Sequence, residues 1–134
     1  MSFELCDHTA DIAVEATGDT LAATFESVAE GLTAAHCESI PGDGERFSFA
    51  VAAESTEALL FDYLDELIYE RDVRGVLPTD HSVSIDDECR RLEATARGVP
   101  LASVSAREIK AVTYSEMAVE RTPSGWRAYV VFDV

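Results

Sequence analysis

The chain has 134 residues, enough for one hydrophobic core and too few for two. Its 47% hydrophobic content, with six Phe, four Tyr and one Trp, excludes a disordered polymer even at a net charge of −16. No apolar run approaches the roughly 18 to 20 residues of a membrane span, and the N-terminus lacks the basic and apolar regions of a signal peptide, so a single cytoplasmic domain over residues 1–134 is expected.

Phe3 to Cys6 and Ile12 to Thr17 read as strands flanking Asp7-His8-Thr9-Ala10-Asp11, the second alternating Ile12, Val14, Ala16 against Ala13, Glu15, Thr17. After Gly18, Asp19 or Thr20 can cap a helix whose Leu21, Phe25, Val28 and Leu32 fall on one face, ending near Ala35. Pro41 to Gly44 makes a turn, and Arg46 to Ala53 reads as a strand. Ser55 or Thr56 can cap a second helix carried by Leu59, Leu60, Tyr63, Leu64, Leu67 and Ile68, ending near Arg71. The remainder is β in pattern: Val73 to Leu77, His81 to Asp86, Cys89 to Arg97, Ile109 to Glu120 and Trp126 to Asp133, with turns at Pro78, Asp86-Asp87, Gly98 and Pro123-Ser124-Gly125. The predicted class is α+β, two amphipathic helices packed against antiparallel β-sheet.

The 26 acidic residues stand against 10 basic ones, of which only Lys110 is a lysine. An acid-rich, lysine-poor surface suits molar salt, where the Debye length falls to ~3 Å and like-charge repulsion is screened. The halophilic reading competes with an acidic surface for a basic partner. Direct capture of nucleic acid is disfavoured, because nonspecific affinity comes from Lys and Arg neutralising phosphates.

Cys6, Cys37 and Cys89 are odd in number and without CxxC spacing, so buried small hydrophobes are expected rather than disulfides or a zinc site. His8, His36 and His81 are equally scattered, leaving oxygen ligands for any metal. Asp62, Asp65, Glu66 and Glu70 lie largely opposite the apolar stripe of the second helix and read as its solvated face; Asp86-Asp87-Glu88 reads as a polar turn. No nucleophile in a recognisable setting and no Gly-rich phosphate loop is visible. Asp11 and Asp133 each sit beside a strand-like apolar run, and Val134 carries the terminal carboxylate. A fold that brought the three together would concentrate anionic oxygens suited to a hard divalent cation.

Three segments in this order and spacing, Asp7-His8-Thr9-Ala10-Asp11-Ile12, Ile109-Lys110-Ala111-Val112-Thr113-Tyr114, and Gly125-Trp126-Arg127-Ala128 leading into Val130-Val131-Phe132-Asp133-Val134, resemble the archease family. The second helix, Leu59 to Tyr69, is similar to the family's central helix, so the resemblance spans essentially the whole chain. It implies an α+β fold and a cytoplasmic, non-catalytic accessory protein of the tRNA-splicing RNA ligase, which joins 2′,3′-cyclic phosphate or 3′-phosphate ends to 5′-hydroxyl ends. The accessory promotes ligase guanylylation and multiple turnover, and meets RNA only through the ligase.

The resemblance also implies a metal site on Asp11, Asp133 and Val134, for calcium, with magnesium or manganese as alternatives. Asp7 is a candidate supporting group, and Lys110 reads either as a contact for an acidic or phosphate group or as an ordinary strand-face charge. Where many relatives read Thr-Tyr-His, this chain has Thr113-Tyr114-Ser115, and its Gly98 to Arg107 segment is short. Alternatives from other classes are a metal-dependent phosphoesterase and a general acidic adaptor or chaperone-like protein.

Overall fold

The computed structural model describes residues 2–8 and 11–134, with the backbone alone for residues 6–8. The Thr9-Ala10 centre of the N-terminal motif and the side chains of Cys6, Asp7 and His8 therefore lie outside the described residues.

Strands β1 (Ser2–His8) and β2 (Asp11–Gly18) lead into helix α1 (Leu21–His36). Thr20 is extended, and its Oγ1 accepts from Ala23 N at 3.0 Å, which fixes the first turn of α1. Strand β3 (Glu45–Ala52) precedes helix α2 (Thr56–Arg74), which Ser55 caps by accepting from Ala58 N at 3.1 Å. Helix α2 outlasts its expected end at Arg71 by a turn, because the residue that stops it is Gly75, left-handed at φ 66° with its N–H on Arg71 O. Val73, expected in a strand, is therefore helical and exposed.

Strands β4 (Val76–Ile85), β5 (Arg91–Pro100), β6 (Ala111–Thr122) and β7 (Gly125–Asp133) complete the chain. They form two antiparallel sheets, one ordered β1-β2-β7-β6 and the other β3-β5-β4. Both helices contact strands of both sheets, while strands of different sheets scarcely touch, so the helices form a shared middle layer. The result is one α+β domain of two helices on antiparallel sheet.

The core follows from the periodicities. Val14, Ala16, Ala128, Val130 and Phe132 of the four-stranded sheet meet Phe25, Val28 and Leu32 of α1 and Leu60, Leu64 and Leu67 of α2, all buried. Tyr63 stacks between Phe25 (centroids 6.4 Å apart) and Phe49 (5.9 Å). Its hydroxyl is buried with no partner among the described residues.

Pro78 does not break the chain as expected. It sits inside β4, an edge strand, where the absent N–H costs no ladder bond. The irregularity comes just after it, a register shift between Thr79 and Ser82 with Asp80 at φ 50°. At the shift and just beyond it, α1 closes the free edge: His81 N donates to Glu30 Oε2 at 3.0 Å and Val83 N to Glu26 Oε2 at 2.8 Å. Burial raises the Glu30 carboxyl above its usual range, partly offset by that bond.

Two further expectations change. Glu70 is not solvated: it is buried to 8% exposure, with Arg74 Nε on its Oε1 at 2.6 Å. Arg74 in turn lies over Phe47, so this flank of α2 faces β3. Cys37 and Cys89 are free and half-buried rather than core residues. The Asp86 turn matches its reading, with Asp86 Oδ1 accepting from Arg90 N and Arg91 N at 2.8 and 3.0 Å.

Candidate functional site

The buried residues Val14, Val130 and Phe132 fix which way β2 and β7 face, and Asp11 and Asp133 fall on the opposite side from Phe132. The β2–β7 register pairs Asp11 directly with Asp133, and the β6–β7 register sets Ala111 on the other side of Asp133. Side chains opposed in this way have Cβ atoms about 4.5–5.5 Å apart, and two like charges so placed are destabilising without something between them. Asp11 is half-buried and Asp133 exposed. Val134 follows with its side chain against the core, which fixes the main chain beyond Asp133. The β1–β2 register pairs His8 with Asp11 and Asp7 with Ile12, so Asp7 falls on the neighbouring row rather than on that of the aspartates.

The backbone at Asp133 is held from behind by a chain of bonds that sequence reading missed. Lys110 N donates to Asp133 O at 2.8 Å. The preceding carbonyl, Ile109 O, accepts from Arg71 Nη1 at 2.6 Å, and the same nitrogen donates to His36 Nε2 at 2.9 Å. His36 Nδ1 lies 2.9 Å from Leu32 O, which can only accept, so His36 is the neutral Nδ1–H tautomer. Burial foremost, with Arg71 and Arg107 adding, lowers its pKa to about 4. His36 O also accepts from Arg107 N at 2.7 Å. Arg71 thus ties both helices to the 107–110 segment that abuts Asp133. In the sequence it looks like an ordinary charged residue in a last helical turn; only its fall on the buried side of α2 hints otherwise.

On the β6 side the strand is irregular between Thr113 and Ala118, with Glu116 at φ 56°. Thr113 Oγ1 donates to Val131 O at 3.0 Å and accepts from Ser115 N at 3.2 Å, so the Thr113-Tyr114-Ser115 segment turns outward. Tyr114 is exposed there and stacks on Phe61 at 4.1 Å between centroids. Lys110 is exposed on the same strand end. On the other side of the motif, an open groove of about 880 Å³ runs from Ile12 past Ala35 and Cys37 of the α1 end to Ser105 and Arg107.

Among the described residues no three His, Cys, Asp or Glu side chains converge. What the register brings together is narrower: Asp11 opposite Asp133 on adjacent strands, with Val134 next along the chain. All carry hard oxygen donors, which fit calcium, magnesium or manganese and not a thiophilic metal.

The Archease protein family (MTH1598/TM1083) model matches residues 3–134. The chain is 35% identical to the Pyrococcus furiosus protein archease over 140 residues, covering 98% of each chain. It is 36% identical to that of Thermococcus gammatolerans over 139 residues, again covering 98% of each. The solution structure of protein 1598 of Methanobacterium thermoautotrophicum superposes with a TM-score of 0.84 at 29% identity, over 98% of both chains. A Thermotoga maritima crystal structure, described as an archease and possible chaperone, gives 0.70 at 28%, over 96% of this chain and 94% of that one. With the family model and these relatives running the length of the fold, the chain belongs to the archease family.

Proposed function

We propose that this protein is a non-catalytic activator of the tRNA-splicing RNA ligase, promoting its guanylylation and repeated turnover from a divalent-cation site on Asp11, Asp133 and Val134. The observation that carries this reading is the cross-strand pairing of Asp11 with Asp133 in a chain that the archease family model matches over residues 3–134. Asp11 and Asp133 would hold the cation from two adjacent strands, and the Val134 carboxylate would complete an anionic rim. A bound cation supplies positive charge at the sheet end, which removes the repulsion between the paired carboxylates and offers a charged contact to the ligase. Lys110 and the groove beside Ile12 border the same end and extend the contact surface. Arg71 and Lys110 N hold the backbone there, so the tip meets its partner already ordered.

A second reading, a general acidic adaptor or chaperone, is favoured by the description of the Thermotoga relative and by the charge of −16. The two separate in one experiment: ligation of cyclic-phosphate RNA with limiting cognate ligase, with this protein alone, with both, and with the Asp11→Asn variant. Turnover that needs the ligase and is stimulated by wild type but not by folded Asp11→Asn supports the activator. Equal stimulation by both supports an adaptor with a structural site. Turnover by the protein alone makes it an enzyme.

A further inference from the structure

We infer that strand β3 is a pairing edge on which two copies of this chain join their three-stranded sheets into one continuous antiparallel sheet. The two edges of that sheet are treated differently. The β4 edge is closed from α1, Glu26 and Glu30 taking the outward N–H groups of Val83 and His81. No corresponding bond reaches the outer edge of β3 among the described residues.

Which β3 groups face outward follows from a bond just past its end. Ala53 N donates to Arg90 O at 2.9 Å, which makes that pair hydrogen-bonded in the antiparallel ladder. Val51, Phe49 and Phe47, stepping back by two, therefore bond to β5, and Arg46, Ser48, Ala50 and Ala52 turn their N–H and C=O groups away from the sheet. The same parity rule on β4, anchored by Asp86 N to Arg91 O at 3.1 Å, turns Val83 outward, and there the structure supplies Glu26.

A strand with unpaired outward groups along its length is a template for another strand. The sequence of β3 suits its own copy. A two-fold axis at Phe49 sets Ser48 against Ala50 of the second copy, Phe47 against Val51, Arg46 against Ala52, and Glu45 against Ala53. Every outward N–H and C=O is then satisfied, apolar residues meet on the helix-facing side, and no two charges are opposed. Such an isologous contact closes on itself and stops at two chains. Of the four outward residues, Ser48, Ala50 and Ala52 are small and uncharged, unlike the lysines and prolines that normally block an edge, and Arg46 turns its guanidinium back across the sheet to Thr95 Oγ1 and Asp80 O, both at 2.8 Å. Two chains of −16 repel at low ionic strength, so association should strengthen with salt.

The test is sedimentation equilibrium of the full chain, under reducing conditions, over a concentration series at low and molar salt, with amide hydrogen exchange at matched concentrations. Wild type should pass from monomer to dimer as concentration and salt rise. Exchange at Arg46, Ser48, Ala50 and Ala52 should slow by roughly tenfold or more once the dimer exceeds nine parts in ten. Ala50→Pro removes an outward N–H without touching the β5 ladder and should abolish the dimer. Ala50→Lys guards the edge by charge and should do the same, keeping the test decisive if the proline variant misfolds. A chain that stays monomeric throughout, a dimer that leaves those four amides unprotected, or a dimer that survives in folded Ala50→Lys would each overturn the inference.

Discussion

Replacing Arg71 by alanine should destabilise this fold substantially, although its position in a last helical turn gives little warning. Its side chain is 9% exposed and serves Ile109 O at 2.6 Å and His36 Nε2 at 2.9 Å. Removing the guanidinium leaves two buried acceptors empty, each costing about 1–3 kcal/mol. The ion pair with Asp72, whose side chain is 63% exposed, adds little. Relief of the buried charge's desolvation offsets part of the loss, leaving a net destabilisation of about 2–4 kcal/mol. Arg71→Lys, with a single ammonium for two diverging acceptors, should fall between. Urea unfolding with matched slopes measures both. A loss below about 1 kcal/mol for the alanine variant would refute the claim that this guanidinium ties the helices to the 107–110 segment.

Stability should also fall in mild acid. His36 and His81 have pKa values lowered to about 4 and about 3, burial being the largest cause for each, against 6.5 when exposed. Between those limits the unfolded chain binds the extra protons, so their contribution is full above pH 6.5 and declines as pH falls, by about 1.4 kcal/mol per pH unit for each histidine. Glu66, raised to about 7 by burial and by Glu70, and Glu30, raised by burial, act in the opposite direction, so the His81 part is read as the difference between wild type and His81→Gln in urea titrations at several pH values. Tyr63→Phe removes a buried hydroxyl without a partner and should be neutral or stabilising by up to about 1 kcal/mol in thermal melts. Gly125→Ala should be strongly destabilising, because Gly125 has φ 146° and a Cβ there would sit 2.2 Å from Gly18 O. Without divalent cations Asp133→Asn should stabilise by at most about 1 kcal/mol by removing a cross-strand repulsion, and on the proposed cation site a gain in melting temperature on adding calcium should be seen with wild type and be absent from the variant.

How much of this was legible depended on whether the signal was local. The apolar spacing of Leu21, Phe25, Val28 and Leu32 and the caps at Thr20 and Ser55 set both helices from neighbouring residues alone. Pro78 misled because a proline is tolerated at an edge, and whether a strand lies at an edge is decided by its partners across the sheet. Gly75 was the better stop signal for α2 than Arg71. Glu70 escaped for a related reason: its flank of α2 looks solvated until β3 packs there and Arg74 folds over Phe47. The candidate site divides the same way. Asp11 and Asp133 stood out beside apolar runs at the two ends of the chain, but their direct opposition is a matter of register between strands over a hundred residues apart. The network of His36, Arg71, Ile109 and Lys110 that backs them links α1, α2 and the segment before β6 to β7, and leaves no mark in any one of them.

Activation through the Asp11–Asp133 pair, as proposed, is read most sharply in guanylylation of the cognate ligase. The rate would be measured in molar salt with a divalent cation, without addition, with wild type, and with Asp133→Asn shown to be folded by circular dichroism. Guanylylation should be faster with wild type and return to the unassisted rate with the variant. Stimulation undiminished in the variant, or none by wild type, would contradict the proposed activation.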